Sequence, residues 1–205
     1  MRSVDDKIRF RMHKSPKTGV WCNKDFLDFG ERAAIDQALG RMVKARELRR
    51  VARGLYDVPK FSTLLNTELS PSYDKIAKAV ARKLGIKIQP SGAVAANMLG
   101  LSEQVPAKIV YLTDGKKRQL RYGNSTILFQ HVLPSRVHGR DDISAMLPSA
   151  IRFMGKNGVN DALIARLISR LPEKECKKLL RGAKYLEAWI YGMIKHAADR
   201  SNGNK

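Results

Sequence analysis

The chain has few of the residues that build metal sites and disulfide scaffolds. Only two cysteines occur among its 205 residues, Cys22 and Cys176. They lie far apart in the sequence, and no CxxC pair or Cys/His cluster accompanies either of them. This argues against a zinc site and against a disulfide framework. We therefore expect two reduced thiols and no metal ion.

The common catalytic motifs are missing as well. The four histidines are His13, His131, His138 and His196. None of them has the spacing of HExxH, and the sequence contains no P-loop, no GxSxG and no GxGxxG. The adjacent acids Asp141 and Asp142 are more typical of a cap for a helix that begins near Ile143 than of a catalytic pair. We therefore predict a protein that is not an enzyme and needs no cofactor.

The sequence has no long hydrophobic run. Its first residues lack the apolar stretch of a signal peptide, and no later run approaches the length of a membrane span. Hydrophobic residues nevertheless make up 43% of the chain, which is enough for a globular fold of one large or two small domains. We expect a cytoplasmic protein without a membrane partner.

Acidic residues are scarce: 19 Asp and Glu stand against 39 Lys and Arg, for a net charge of +20. A protein this basic usually meets nucleic acid, an anionic membrane or an acidic partner. In thirds divided at Phe61 and Asp142, the basic excess is seven, six and seven. Either DNA contacts extend over the later regions, or those regions meet a second polyanion such as RNA or an acidic protein.

The segment 20–59 has the pattern of a winged helix-turn-helix. A short helix over 24–29, capped by Asn23, precedes a turn at Gly30 and a second helix over 32–44. Two extended pieces, 47–51 and 55–58, then follow and are joined by a loop that ends at Gly54. The construction predicts one helix for a DNA groove and a basic hairpin for the backbone beside it.

The second helix of this segment is amphipathic. Its apolar residues recur every three or four positions and predict a buried stripe of Ala34, Ile35, Ala38, Leu39, Met42 and Val43. The opposite face and the hairpin supply residue types that reach base edges and phosphates. The predicted DNA-binding residues are Arg32, Gln37, Arg41, Lys44, Arg49, Arg50 and Arg53. The alternative is a solvated basic face on a small helical bundle.

The rest of the chain predicts an α+β arrangement. Helices are expected over 73–84 and 92–99, and strands at 86–90, 108–113, 118–122 and 126–132. Asp114-Gly115 is typical of a hairpin turn, so the strands should form a small antiparallel sheet, while 61–71 reads as a polar connection. From residue 143 the pattern is helical to about residue 200. We place a DNA-binding domain at 1–61 and a mixed α/β domain at 62–205.

Two further features leave alternatives open. Lys116, Lys117, Arg118 and Arg121 make a dense basic hairpin, which is either a solvated strand face or a second nucleic-acid contact. The run from Gln89 to Gly92 precedes an Ala-rich helix. It is either a turn capped by Ser91, with small residues for close packing, or a small-ligand or phosphate site at the helix N-terminus.

Two runs carry a family resemblance: LRRVARGLYDVP, and ARKLGIKIQPSGAVAANMLGLSEQVPAKIVYLTDG. Over roughly residues 5–155 the chain resembles the AbiEi-type antitoxins and transcriptional regulators of bacterial type IV toxin–antitoxin systems. The resemblance implies that the N-terminal domain binds inverted repeats in its own promoter. It also implies that the C-terminal domain counters a nucleotidyltransferase-like toxin, without need of a stable complex. The family's wing arginines match Arg49, Arg50 and Arg53, and its basic recognition-helix positions match Arg32, Arg41 and Lys44.

Together these observations predict a sequence-specific, autoregulating repressor with antitoxin function. It would be a monomer in solution or a dimer on DNA, since one short helix reads too few base pairs to select an operator. One alternative is a protein- or RNA-interaction module whose basic C-terminal domain binds a toxin or its RNA substrate. Another is a non-specific DNA-binding protein, which would show steep salt dependence and no operator preference.

Overall fold

A computed structural model of the chain describes residues 3–15, 19–104, 106, 108–134, 137 and 143–203. The chain forms two compact units of mixed helix and sheet. The first unit comprises the described residues up to Ile86 together with Tyr122–Asn124, and the second comprises Lys87–Arg121 and the described residues from Ser125 onward. This confirms the expected mixture of helices and small sheets.

The first unit alternates helices with short strands. Its elements are α1 (Val4–Lys14), β1 (Val20–Cys22), a 3₁₀-helix (Asn23–Phe29), α2 (Arg32–Lys44), β2 (Arg49–Ala52), β3 (Leu55–Asp57), β4 (Lys60–Ser62), β5 (Thr67–Leu69) and α3 (Tyr73–Leu84). The strands β1, β3 and β2 form an antiparallel sheet in that order, and β4 pairs with β5. The helices α1 and α2 and the 3₁₀-helix pack around one apolar core that includes Ile8, Phe26 and Leu39.

Helix α2 has the predicted bounds, but its neighbours differ in detail from the prediction. Ile35, Ala38, Leu39 and Met42 are buried, whereas Ala34, at the edge of the stripe, is exposed. The expected cap by Asn23 is wrong. The 3₁₀-helix includes Asn23, whose buried side chain donates to Asp36 at 2.9 Å, and Asp25 accepts the Cys22 amide at 2.8 Å instead.

Helix α3 belongs to the first compact unit, whose first segment extends to Ile86. Ser72 caps the start of the helix, and Gly85 ends it in the left-handed conformation at φ +68°. The helix is held by packing and by Arg82, which donates to the carbonyl oxygen of Val20 at 2.7 Å and to Asp25 at 3.0 Å. These contacts join residues about 60 positions apart, which a local pattern does not reveal.

The connection between β3 and α3 is a β-hairpin, so the expectation of a polar linker over 61–71 is wrong. Lys60 lies opposite Leu69, and Ser62 opposite Thr67. Four apolar side chains of this hairpin are exposed: Phe61, Leu64, Leu65 and Leu69. Because these residues do not alternate regularly with polar ones, the strand pattern is weak in the sequence.

The second unit combines a four-stranded sheet with a helical layer. Its elements are β6 (Ile88–Pro90), α4 (Gly92–Met98), β7 (Ile109–Thr113), β8 (Arg118–Tyr122), β9 (Ser125–His131), α5 (Ile143–Met154), α6 (Asp161–Ser169), α7 (Glu173–Ala183) and α8 (Ala188–Gly203). The strand order is β6-β7-β9-β8. The helices α4 to α8 share one apolar core.

The sheet of the second unit is mixed, so the predicted antiparallel sheet is wrong in one pairing. β6 pairs antiparallel to β7, but β7 pairs parallel to β9, with Tyr111 opposite Phe129. β9 therefore lies where the Asp114-Gly115 hairpin would have put β8. The buried strands β7 and β9 take the centre, and the basic strand β8 takes the edge, where charge opposes pairing with another chain.

The region from residue 143 onward is helical, as predicted, and contains the four helices α5 to α8. Asp141 and Asp142, the expected cap, and His138 lie outside the described residues. Within the described residues, no helix is both long and apolar enough to span a membrane.

Candidate nucleic-acid interface

Helix α2 presents an exposed face opposite the core of the first unit. Arg32, Gln37, Arg41 and Lys44, all predicted DNA contacts, are exposed on it. The middle of the face carries no side chain at Gly40, where an added Cβ would meet no atom within 4 Å. A helix with such a surface can approach another molecule closely along its middle turns.

Two of the α2 arginines already have carboxylate partners. Arg41 binds Asp5 of α1 at 2.6 Å, and Arg32 lies 3.5 Å from Asp36. Both arginine side chains are 60% exposed, so these pairs are screened by water and easily exchanged. The Asp5 carboxylate raises the pKa of Arg41 by accepting its hydrogen bonds. Lys44 forms no ion pair within the described residues.

Arg49 has a different role from the other predicted wing arginines. It makes two hydrogen bonds to Asp57, at 2.6 and 3.1 Å, and Asp57 is only 4% exposed. It also donates to Glu68 at 3.3 Å and to the carbonyl oxygen of Leu69 at 2.9 Å. Arg49 thus ties β2 to β3 and to the β4–β5 hairpin, and its donors face the protein.

Arg50 and Arg53 stay accessible on the β2–β3 hairpin. Both are exposed, and neither forms an ion pair with any residue that the structure describes. The hairpin turns at Gly54, whose φ of +69° is a conformation that side-chain-bearing residues rarely adopt. The sequence predicted this turn, and the structure confirms it.

Lys83 of α3 is a basic residue beside the hairpin that the sequence did not single out. Its Nζ donates to the carbonyl oxygen of Arg53 at 2.5 Å, and an added Cβ at Gly54 would lie 3.1 Å from that nitrogen. Burial lowers the pKa of Lys83, and the charges of Arg53, Arg32 and Arg50 lower it further. We call Arg32, Arg50, Arg53 and Lys83 the wing-tip cluster. The sequence did not reveal the position of Lys83 because residue spacing shows which face of α3 is polar but not that the hairpin lies against the C-terminal end of α3.

The second predicted basic site lies in the second unit. Lys116 and Lys117 are exposed on the connection to β8, and Arg118 and Arg121 lie on that edge strand. Arg118 donates a long bond, 3.4 Å, to the carbonyl oxygen of Lys116. The solvated strand face and the second nucleic-acid contact both remain predictions for this group.

The segment before α4 is packed closely. Gln89 is buried and donates to the carbonyl oxygen of Ala145 at 3.2 Å. Ser91 makes no side-chain cap bond, contrary to expectation. Gly92 is needed for the approach of α5, because an added Cβ would lie 2.7 Å from the Ser149 carbonyl oxygen. Close helix packing therefore accounts for this glycine.

The second unit also contains an open cavity of about 1170 Å³ between the sheet, α5 and α7. The cavity is lined by apolar residues such as Leu112, Pro148 and Leu179 and by the basic residues Lys178 and Arg181. Across its rim Arg152 binds Glu187 through two bonds of 2.7 Å, which lower the pKa of Glu187 to about 2. Among the described residues, no three His, Cys, Asp or Glu side chains are grouped so that they could hold a metal ion.

The comparisons with known proteins concern the chain as a whole. No curated protein matches it. One family model, described as a family of unknown function (DUF6088), matches residues 7–180. This match includes α2, the β2–β3 hairpin, Lys83 and most of the second unit. The chain therefore belongs to the DUF6088 family.

Proposed function

We propose that the first unit is a winged helix-turn-helix and that the protein is a sequence-specific DNA-binding repressor. The observation that carries this proposal is the order and pairing of its elements. A helix, a strand, two further helices and a two-stranded hairpin follow one another, and β1 pairs with β3 of the hairpin. In proteins of this construction the last helix enters the major groove and the hairpin contacts the backbone beside it.

The residues of α2 suit a recognition helix. Gln37 and Arg41 carry the amide and guanidinium groups that pair with adenine and guanine edges, and Lys44 suits a phosphate. Arg32 and Arg41 would exchange their carboxylate partners for DNA on binding. The missing side chain at Gly40 gives bases room to approach the helix axis. Arg50 and Arg53 would hold phosphates or enter the adjacent minor groove.

The biological role rests on the resemblance to AbiEi-type regulators. By this resemblance, the protein represses its own promoter, and two copies of it bind the inverted repeats there. It would act in the cytoplasm. The resemblance also makes the protein an antitoxin that counters a nucleotidyltransferase-like toxin. Arg41→Ala and Arg53→Ala should abolish operator binding while toxin neutralisation in co-expressing cells continues. Loss of both activities in a folded variant would contradict a division of labour between the units.

The basic surface of the second unit favours a second candidate, an interaction module for a polyanion such as the toxin's RNA substrate. Helix α7 and the residue after it expose five cations: Lys174, Lys177, Lys178, Arg181 and Lys184. Of these, Lys177 is paired with Glu173. Such a helix attracts polyanions, of which RNA is one. This candidate predicts RNA binding that is unchanged by substitutions in α2.

The test of DNA recognition is a fluorescence-anisotropy titration with the DNA upstream of the protein's own gene and with scrambled DNA, at two salt concentrations. A preference of about 100-fold or more that survives higher salt supports a site-specific regulator. Equal and salt-sensitive binding to both duplexes would exclude operator recognition.

A steric variant tests whether α2 is the docking element. Gly40→Glu puts an anionic side chain in the middle of the exposed face without meeting any atom of the protein within 4 Å of its Cβ. We expect a folded protein that has lost DNA binding. Gly192→Glu in α8, where an added Cβ also meets nothing within 4 Å, is the matched control and should bind normally. Equal binding by both variants would remove α2 from the interface.

A further inference from the structure

We propose that Lys83 of α3 completes a phosphate-binding site at the wing tip, together with Arg50 and Arg53 of the hairpin and Arg32 of α2. The inference rests on the proposed DNA-binding function and extends it to a helix outside the helix-turn-helix. Its ligand is a backbone phosphodiester, so the contact would contribute to affinity without reading sequence.

The first support is the position of the ammonium group. Lys83 is half-buried at the C-terminal end of α3, and its Nζ is held at the hairpin by the hydrogen bond to the Arg53 carbonyl oxygen. Gly54 leaves room for this contact, because a side chain there would lie against Nζ and Cε. A lysine ammonium has three donors, so two remain for an anion. Since the side chain is already ordered, little conformational entropy is lost on binding.

The second support is an excess of like charge. The charges of Arg53, Arg32 and Arg50 all act on Lys83. Arg32 has an exposed carboxylate partner at 3.5 Å, whereas Arg50, Arg53 and Lys83 form no ion pair with a carboxylate in the part of the chain that the structure describes. Four such cations repel one another in the free protein, and a phosphate between them relieves that repulsion. Partial burial of Lys83 strengthens the attraction, because water screens it less.

An alternative role for Lys83 is purely structural: its hydrogen bond to Arg53 would hold the hairpin in place without contacting a phosphate. Two substitutions separate this from phosphate binding. Lys83→Gln keeps an N–H donor for the Arg53 carbonyl oxygen but removes the charge. Lys83→Arg keeps the charge. The control is Lys78→Ala on the same helix, because Lys78 binds Asp74 at 2.6 Å and does not belong to the wing-tip cluster.

The experiment measures the affinity of the full chain for its upstream DNA and for scrambled DNA over a range of salt concentrations. We expect Lys83→Gln to weaken binding to both duplexes by about 5- to 20-fold and to reduce the slope of log K against log salt by about one. Lys83→Arg should restore the slope, and Lys78→Ala should leave both quantities unchanged. Trp21 fluorescence during urea unfolding, measured with Trp189→Phe in every variant, confirms that the first unit of each variant is folded.

The outcomes distinguish this inference from the function on which it rests. If the wild type prefers its upstream DNA and Lys83→Gln has the same salt slope as wild type, the phosphate site is wrong and the repressor function stands. If the wild type binds neither duplex, both proposals are overturned.

Discussion

The two units have similar excesses of basic residues but use their charges differently. In the first unit, acidic residues are paired with particular arginines across elements: Arg9 with Glu47, Arg11 with Asp28, Arg41 with Asp5, Arg49 with Asp57 and Arg82 with Asp25. In the second, a helical core holds the elements together, and Arg152–Glu187 ties helix α5 to the start of α8. Net charge alone therefore does not locate a binding site. The informative cations are those without an internal carboxylate partner, and among the described residues of the first unit they include Arg50, Arg53 and Lys83 of the wing-tip cluster.

The largest expected effect concerns the most buried of these ion pairs. Asp57→Ala leaves the inward-facing guanidinium of Arg49 without its main partner, which should destabilise the first unit by about 3 kcal/mol. Glu187→Ala in the second unit, where both side chains are nearly half exposed, should cost about 1 kcal/mol or less. Urea unfolding reports the units separately, with Trp189→Phe leaving Trp21 as the probe and Trp21→Phe leaving Trp189. Equal losses of unfolding free energy in the Asp57→Ala and Glu187→Ala variants would contradict this contrast between the units.

The next largest effect is on DNA affinity, and it concerns basic residues that have no carboxylate partner among the described residues. Arg50→Ala combined with Arg53→Ala should weaken operator binding by about 10- to 100-fold, because two accessible phosphate contacts are lost. Lys174→Ala combined with Lys178→Ala removes the same charge from α7 and should change DNA affinity by less than about threefold if the second unit does not contact DNA. Anisotropy titrations give both values. A larger effect from the α7 pair would transfer the nucleic-acid contact to the second unit.

A smaller effect separates an open helix glycine from a packed one. Gly40→Ala should stabilise the first unit by about 0.5–1 kcal/mol, since alanine is the better helix former and its Cβ meets nothing. Gly92→Ala in α4 should instead destabilise the second unit, where the Ser149 carbonyl oxygen and Phe153 occupy the space. Thermal unfolding of the two variants should shift in opposite directions. Stabilisation by both would show that α4 and α5 can separate at no cost.

The smallest expected effect is a difference in acid sensitivity. Hydrogen bonds from Ser3, Arg11 and Arg9 lower the pKa values of Asp6, Asp28 and Glu47, all in the first unit. Bonds from Arg152 lower the pKa of Glu187 in the second. Depressed carboxyl pKa values stabilise the fold above the ordinary pKa of about 4, and this contribution is lost as the pH falls below it.

The first unit has three carboxylates with a lowered pKa and the second unit has one. The first unit should therefore lose more stability on acidification. Urea midpoints followed at Trp21 and at Trp189 between pH 6 and pH 2.5 measure the difference, at low salt because all four groups are exposed. Parallel declines of the two midpoints would contradict the prediction.

Local patterns predicted the elements of this chain better than their partners. The helix over 32–44 and the strand over 118–122 have the predicted bounds, because periodicity and turn residues act within a few positions. The pairing of β7 with β9 was missed, because Asp114-Gly115 is typical of a hairpin whether or not a later strand displaces the neighbour. Lys83 was missed for the same reason, since its significance comes from Arg53, 30 residues away.

Residue spacing in α2 predicted which side chains face away from the core, but it did not predict their ion-pair partners. All four polar positions of α2 face outward, as their spacing indicates. Nothing in the run Arg49-Arg50 shows that the first side chain binds Asp57 and the second stays accessible. That difference follows from strand alternation together with the register of β2 on β3, which puts Arg49 opposite Asp57.

The β4–β5 hairpin has a practical consequence for handling the protein. Leu64 at its turn is 92% exposed, and Phe61 and Leu65 beside it are exposed too. Chymotrypsin cleaves after such residues, so brief digestion should nick the chain here, at a loop tip that is accessible without unfolding. Because Arg82 and the apolar face of α3 bind residues before the nick, the two fragments should stay together under native conditions. The same turn is a suitable place to insert an epitope or a fluorophore without disturbing either unit.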